Sequence, residues 1–181
     1  MPVFAFRMMT WVMRIEDIFK SPADLLRYVP LQEGVTVVDY ACGPGRYTIP
    51  AAETVGPSGK VYAVDIQPLA IETVKRKAAE KSLANIQTVL VDSFNTGIPD
   101  STADIVLLID AITPIKDRAA LFQEIYRLLK PDGLLFMDSS HMKPSRARDI
   151  VESTGLFKIV RAEGRRMLLL AKAEARLRRS G

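Results

Sequence analysis

Five short runs dense in branched and aliphatic residues recur along the chain: VTVVDYA (35–41), KVYAVDI (60–66), IQTVLVD (86–92), DIVLLIDA (104–111) and GLLFMDSS (133–140). None alternates strictly between apolar and polar positions, so each reads as a strand buried on both faces, the pattern of a parallel sheet. Between them the apolar spacing changes to that of helices, at about 46–54, 68–83, 117–130 and 144–154. Pro68 sits where a first helical turn tolerates proline, and KPDG at 130–133 halts the helix that ends in EIYRLLK. Alternation of strand and helix predicts an α/β fold: a three-layer sandwich with helices on both faces of a mostly parallel sheet. The end of the chain departs from this rhythm. FKIVRAE, then Gly164, then RRMLLLAKA are two strand-like runs around a tight turn, which adds a hairpin and one antiparallel strand, seven strands in all.

Bulk properties narrow the classes. A chain of 181 residues suits a single domain. We divide it into an N-terminal lid or docking segment (1–29), a core (33–172) and a basic tail (173–181). With 48% hydrophobic and 25% charged residues it reads as globular and cytoplasmic, and no apolar run is long enough to cross a bilayer. The oily N-terminus is interrupted by Arg7 and Arg14 without a small-residue cleavage site, so no signal peptide is expected. The single cysteine, Cys42, excludes an internal disulfide and a cysteine-built zinc site, and no metal is expected. Net charge is +4, yet the segment from Arg161 onward alone carries +5, which leaves the rest at −1. A general nucleic-acid-binding surface is therefore not indicated.

The chemistry gathers where the first strand ends. In open α/β sheets ligands bind beyond the carboxyl ends of strands, at a turn bare enough for close approach to the main chain. Gly43 and Gly45 occupy that turn, and Asp65 ends the second strand twenty residues after Gly45, where a carboxylate can grip both hydroxyls of a ribose. Asp92 ends the third strand. A dinucleotide fingerprint wants a third small residue three positions after the second glycine, and Thr48 stands there instead. The turn is suited to a nucleoside without a pyrophosphate.

Taken together, VVDYACGPGRYT, VYAVDI, VLVDSF, ADIVLLIDAI and LLKPDGLLF resemble the successive motifs of class I S-adenosylmethionine-dependent methyltransferases, in order and over roughly residues 33–172. The resemblance implies a Rossmann-like sheet and S-adenosylmethionine as cofactor, with S-adenosylhomocysteine as product. It implies that Asp39 and the main chain around Ala41, Gly43 and Gly45 hold the methionine portion. Asp65 would take the ribose, Ile66 would pack on the adenine, and Asp92 with Ser93 would meet its exocyclic amine. Asp110, near the end of the fourth strand, would lie beside the transferable methyl. Other readings stay open: Asp39 as a local cap, Ile66 as core, Asp104 as an ordinary strand-start residue.

Many small-molecule members carry a histidine or aromatic residue after the fourth strand, whereas AITPIKD places Thr113 and Pro114 there. His141, the only histidine, follows the fifth strand and is the candidate general base, with Asp138 to orient it; a solvent-facing loop histidine is the alternative. A base matters only if the acceptor must lose a proton, since in-line positioning and exclusion of water carry the reaction otherwise. Phe4, Phe6, Met8, Met9, Trp11, Met13, Ile15, Ile18 and Phe19 exceed what one docking helix needs, and suit a lid over an apolar or amphipathic acceptor, or a homodimer contact. Cys42 reads as a small packing residue. Arg165 and Arg166, on the hairpin turn, are expected at the cleft side of the sheet, and Arg176, Arg178 and Arg179 at the opposite edge. The acceptor is expected to be a small molecule. A nicotinamide-dependent oxidoreductase and a non-catalytic binding domain are the competing classes.

Overall fold

The computed structural model describes residues 8, 21–113, 115–138, 142–164 and 166–173. Its elements, in order, are α1 (Pro22–Leu26), β1 (Thr36–Tyr40), α2 (Thr48–Val55), β2 (Lys60–Asp65), α3 (Pro68–Glu80), β3 (Ile86–Leu90), β4 (Ala103–Ile109), α4 (Arg118–Leu128), β5 (Leu129–Asp138), α5 (Pro144–Thr154), β6 (Phe157–Glu163) and β7 (Met167–Lys172). The seven strands form one sheet in the order β3-β2-β1-β4-β5-β7-β6. β3, β2, β1, β4 and β5 pair in parallel, and β7 lies antiparallel between β5 and β6. The expected α/β sandwich with one antiparallel strand in a terminal hairpin is what forms.

Alternate residues of each strand feed two cores. Val38, Tyr40, Val106, Leu108, Leu135 and Met137 pack with Leu121, Phe122 and Ile125 of α4 and with Ala147 and Val151 of α5. On the other face Val37, Val61, Ile105, Leu107 and Phe136 meet Leu26 of α1 and Ala51, Ala52 and Val55 of α2, while Ala63 meets Ile71 and Val74 of α3. Both faces of the central strands are covered, and their dense apolar runs are the consequence. At the opposite end from the glycine turn, Asp104 is more than a strand-start residue. Its carboxylate accepts from the Thr36 backbone N–H (2.8 Å) and from Lys130 Nζ (2.7 Å), tying β1, β4 and β5 together.

Several boundaries differ from the pattern-based ones. α4 ends at Leu128, two residues early, and KPDG enters β5 as an irregularity: Ala103 pairs with Leu129, but Ile105 with Leu134. Gly133 is needed there, because a Cβ would lie 2.9 Å from the Ala103 carbonyl oxygen. β3 stops at Leu90 and β4 at Ile109, so Asp92 and Asp110 lie on the loops beyond the strands rather than at their last positions.

Candidate functional site

From β1 the chain passes to β2 on one side and later crosses to β4 on the other, which makes the gap between β1 and β4 the switch point of the sheet. A cavity of about 660 Å³ opens there, at the carboxyl ends of the strands. A larger depression of about 1240 Å³, lined by Gly56, Lys60 and Asn85, lies at the amino ends of β2 and β3, away from the switch point.

Eight of the predicted site residues line the 660 Å³ cavity: Asp39, Ala41, Gly43, Asp65, Ile66, Asp92, Ser93 and Asp110. Gly45 does not line it. A Cβ at Gly45 would approach Val74 Cγ2 to 3.0 Å and its φ is +79°, so its bareness lets the turn pack on α3. Gly43 differs: a Cβ there would meet open space. His141 lies outside the described residues, as do Pro114, Arg165, the tail from 174, and every predicted lid residue except Met8, which is exposed. Arg166 is exposed and lies outside the cavity lining.

Side chains rather than the glycines alone hold the turn. Asp65, 8% exposed, accepts from the Gly43 N–H through one carboxylate oxygen and from the Gln67 N–H through the other, both at 2.8 Å. Lys77 of α3 donates to the Pro44 carbonyl at 2.7 Å. Asp39, 2% exposed, accepts from the Thr48 hydroxyl at 2.5 Å. Thr48, in place of a third glycine, is thus fully buried at the start of α2 and engaged with β1. The local-cap reading of Asp39 describes this contact, and Asp39 lines the cavity as well.

Burial pushes the Asp39 carboxyl up to about 7; hydrogen bonds from Thr48 pull it down and the nearby Asp65 charge raises it again. Burial likewise pushes the Cys42 thiol far above its ordinary range, aided by Asp39 and Asp65, which suits packing and not nucleophilic attack. The folded chain therefore binds more protons at Asp39 than the unfolded chain does between the ordinary value of 3.8 and about 7. The contribution of Asp39 to stability therefore falls as pH rises through that window. Thermal melting of the ligand-free protein is expected to show a midpoint that declines between about pH 5 and 7. Asp39→Asn should remove that part of the slope, and equal slopes in both proteins would contradict it.

Pattern reading missed Tyr40, Arg46, Tyr47, Gln67, Phe94, Ile115, Lys116 and Asp117, which also line the cavity. The Tyr40 hydroxyl donates to the Phe94 carbonyl at 3.0 Å and so ties the loop after β3 to β1. Ala41 and Asp110, on the adjacent ends of β1 and β4, both take left-handed backbone, with φ of 60° and 56°. Such conformations in residues other than glycine persist where the surroundings enforce them, and they cluster at functional sites. Among the described residues no group of three or more His, Cys, Asp or Glu could hold a metal ion, and no helix is long and apolar enough to cross a membrane.

The family described as Methyltransferase domain matches residues 31–168, from before the glycine turn to the start of β7. The chain belongs to that family. This methyltransferase domain is 33% identical over 110 residues to a demethylmenaquinone methyltransferase of Geobacillus sp. (strain WCH70), a match covering 61% of this chain and 47% of the relative. It is 32% identical over 121 residues to nocamycin O-methyltransferase of Saccharothrix syringae, covering 67% and 43%. The chain spans about half the length of these relatives. A solved structure of a putative S-adenosyl-L-methionine-dependent methyltransferase from Methanococcus maripaludis shares the fold, with a TM-score of 0.77, 18% identity, and coverage of 95% of this chain and 94% of that one.

Proposed function

We propose that the chain transfers the methyl group of S-adenosylmethionine to a small organic acceptor with an apolar body, and that the 660 Å³ cavity is where it does so. One observation carries this reading: Gly43, Asp65, Ile66 and Asp92 converge on a single cavity at the switch point of the sheet.

The residues present fit the cofactor. Each Asp65 oxygen accepts one backbone N–H and has a further lone pair for a ribose hydroxyl. Ile66 is 61% exposed at the cavity, an apolar surface that a purine would cover. Asp92 and Ser93, both exposed on the next loop, supply the polar edge for an adenine amine. Open space at Gly43 lets the methionine portion approach the main chain. When bound, S-adenosylmethionine supplies a methyl carbon already made electrophilic by its sulfonium.

The chain's own task is then to bind, to orient the acceptor in line and to exclude water. Asp110, on its left-handed backbone beyond β4, is placed to position the acceptor, with Ile109, Ala111 and Ile115 as apolar neighbours in the lining. His141 remains the proposed base for an acceptor that must lose a proton. The relatives' names, demethylmenaquinone and nocamycin, favour an organic small molecule as acceptor. The nicotinamide alternative is disfavoured by Thr48: its side chain is buried against Asp39 where a dinucleotide turn needs a bare residue.

Titration calorimetry and thermal shift test the assignment. S-Adenosylmethionine and S-adenosylhomocysteine should bind and raise the melting temperature, while NAD should do neither. Absent binding of S-adenosylhomocysteine, or a preference for NAD, would sink it. Methyl-labelled cofactor incubated with fractionated extract then separates catalysis from binding alone.

A further inference from the structure

Two ligands must alternate in the proposed cofactor site, and they differ by a methyl group and one positive charge. A site distinguishes them electrically only if a charge nearby is poorly screened. The cavity is lined by Asp39, Asp65, Asp92, Asp110 and Asp117 against Arg46 and Lys116, an excess of acidic groups. Asp92, Lys116 and Asp117 are exposed, so water screens them. Asp39 is 2% exposed, against 8% for Asp65, and so is shielded from water more than the exposed members of the set.

We propose that Asp39, seated by Thr48, sets the preference of this cavity for the cationic sulfonium cofactor over the neutral thioether that remains after methyl transfer. The inference rests on the cofactor reading above. The groups acting on Asp39 are Asp65 at the end of β2, Thr48 on α2 and Cys42 on the turn, and Arg46 on the turn and Asp110 beyond β4 are the other charged groups of the same part of the cavity lining. Lys77 of α3 is engaged with the Pro44 carbonyl. The Cys42 thiol stays neutral, Asp65 adds a like charge, and the Thr48 hydroxyl is the donor that favours the ionised form.

With its ionisation balanced near neutrality, Asp39 gives up its proton to solvent when a cation occupies the cavity. Once the positive charge has left with the methyl group, Asp39 regains a proton from solvent, and its charge no longer favours what remains bound. By linkage, the same coupling makes affinity for the cation, and not for the thioether, rise as Asp39 ionises.

Calorimetric dissociation constants for S-adenosylmethionine and S-adenosylhomocysteine, measured at about pH 6 and about pH 7.5, test this. The preference for S-adenosylmethionine over S-adenosylhomocysteine should grow roughly threefold to tenfold at the higher pH. Asp39→Asn should hold the preference constant, apart from any change that comes from the ligands' own ammonium groups, which this variant measures. Thr48→Val keeps the side-chain shape but removes the donor, so it should move the rise to higher pH. Binding enthalpies observed in buffers of different ionisation enthalpy should show proton release with S-adenosylmethionine alone. A native preference that does not change with pH, an equal change in Asp39→Asn, or a Thr48→Val profile that coincides with the native one overturns the proposal. If both ligands bind under those results, the cofactor reading survives; if neither binds, both fall.

Discussion

Replacing Asp65 with alanine is expected to weaken S-adenosylmethionine binding by at least roughly a hundredfold, because two charge-assisted hydrogen bonds worth about 1.5–3 kcal/mol each are lost together. The carboxylate is proposed to take the ribose hydroxyls, and in the ligand-free fold it already clamps the glycine turn through the Gly43 and Gln67 N–H groups. The variant therefore loses the ligand's acceptor and the brace that shapes the turn. The sheet itself should survive, since Asp65 ends β2 and the core strands are closed without it. Calorimetry with a parallel melting curve makes the distinction. An unchanged dissociation constant would place the ribose elsewhere, and loss of the cooperative melting transition would show that the brace serves folding. Asp65→Asn is expected to fall between the two, because one amide nitrogen would face a backbone N–H that needs an acceptor.

The largest loss of stability outside the apolar core is expected from Glu124→Ala, roughly 2–3 kcal/mol. Glu124 is 8% exposed on α4 and accepts from the Thr96 N–H at 2.9 Å, the Thr96 hydroxyl at 2.8 Å, and Arg127 at 2.6 and 2.8 Å. Arg127 in turn donates to the Ile98 carbonyl at 2.7 Å. Truncation leaves the two Thr96 donors without their acceptor, while Arg127 keeps Asp100 as its remaining counter-charge. Burial pushes the Glu124 carboxyl up, but the bonds from Arg127 and Thr96 outweigh it and hold it below the usual range. Its folded-state value is thus depressed, so its stabilisation is present at neutral pH and is lost as pH falls through the carboxylate range. Urea melts at about pH 7 and about pH 3.5 should show a large difference between native and variant at the first and a small one at the second. A loss below about 1 kcal/mol at neutral pH would mean that the cluster is no better than a surface ion pair.

Much of this protein was legible in residue order. Val37 and Val38 read as a strand buried on both faces, and in the fold one enters the α2 side and the other the α4 side. Gly43, Asp65 and Asp92 were nominated from a turn and two strand ends, and Ile66 from the resemblance to methyltransferase motifs; the sheet brings all four to one cavity. Gly45 was grouped with Gly43, yet its neighbour is Val74, because only the docking of α3 shows which face of the turn needs space. Nothing in the residue order singles out Glu124. Its burial depends on the loop at 96–98, 28 residues away along the chain, folding over it. Asp110 was read as part of the fourth strand, since the apolar run extends past it to Ala111; the left-handed backbone there depends on what surrounds it.

The sequence by itself determined the alternation of strands and helices, the terminal hairpin, the bare turn after β1 and the acidic residue that ends β2. Those signals are periodicity, turn chemistry and spacing, which act over a few residues and leave a local mark. Only the tertiary structure decided the KPDG register jump, the Asp39–Thr48 and Asp65–Gly43 contacts, and the raised pKa of Asp39. A carboxyl group's hydrogen bonds and its distance from water depend on segments that the chain brings together from afar, and on how completely they shut solvent out.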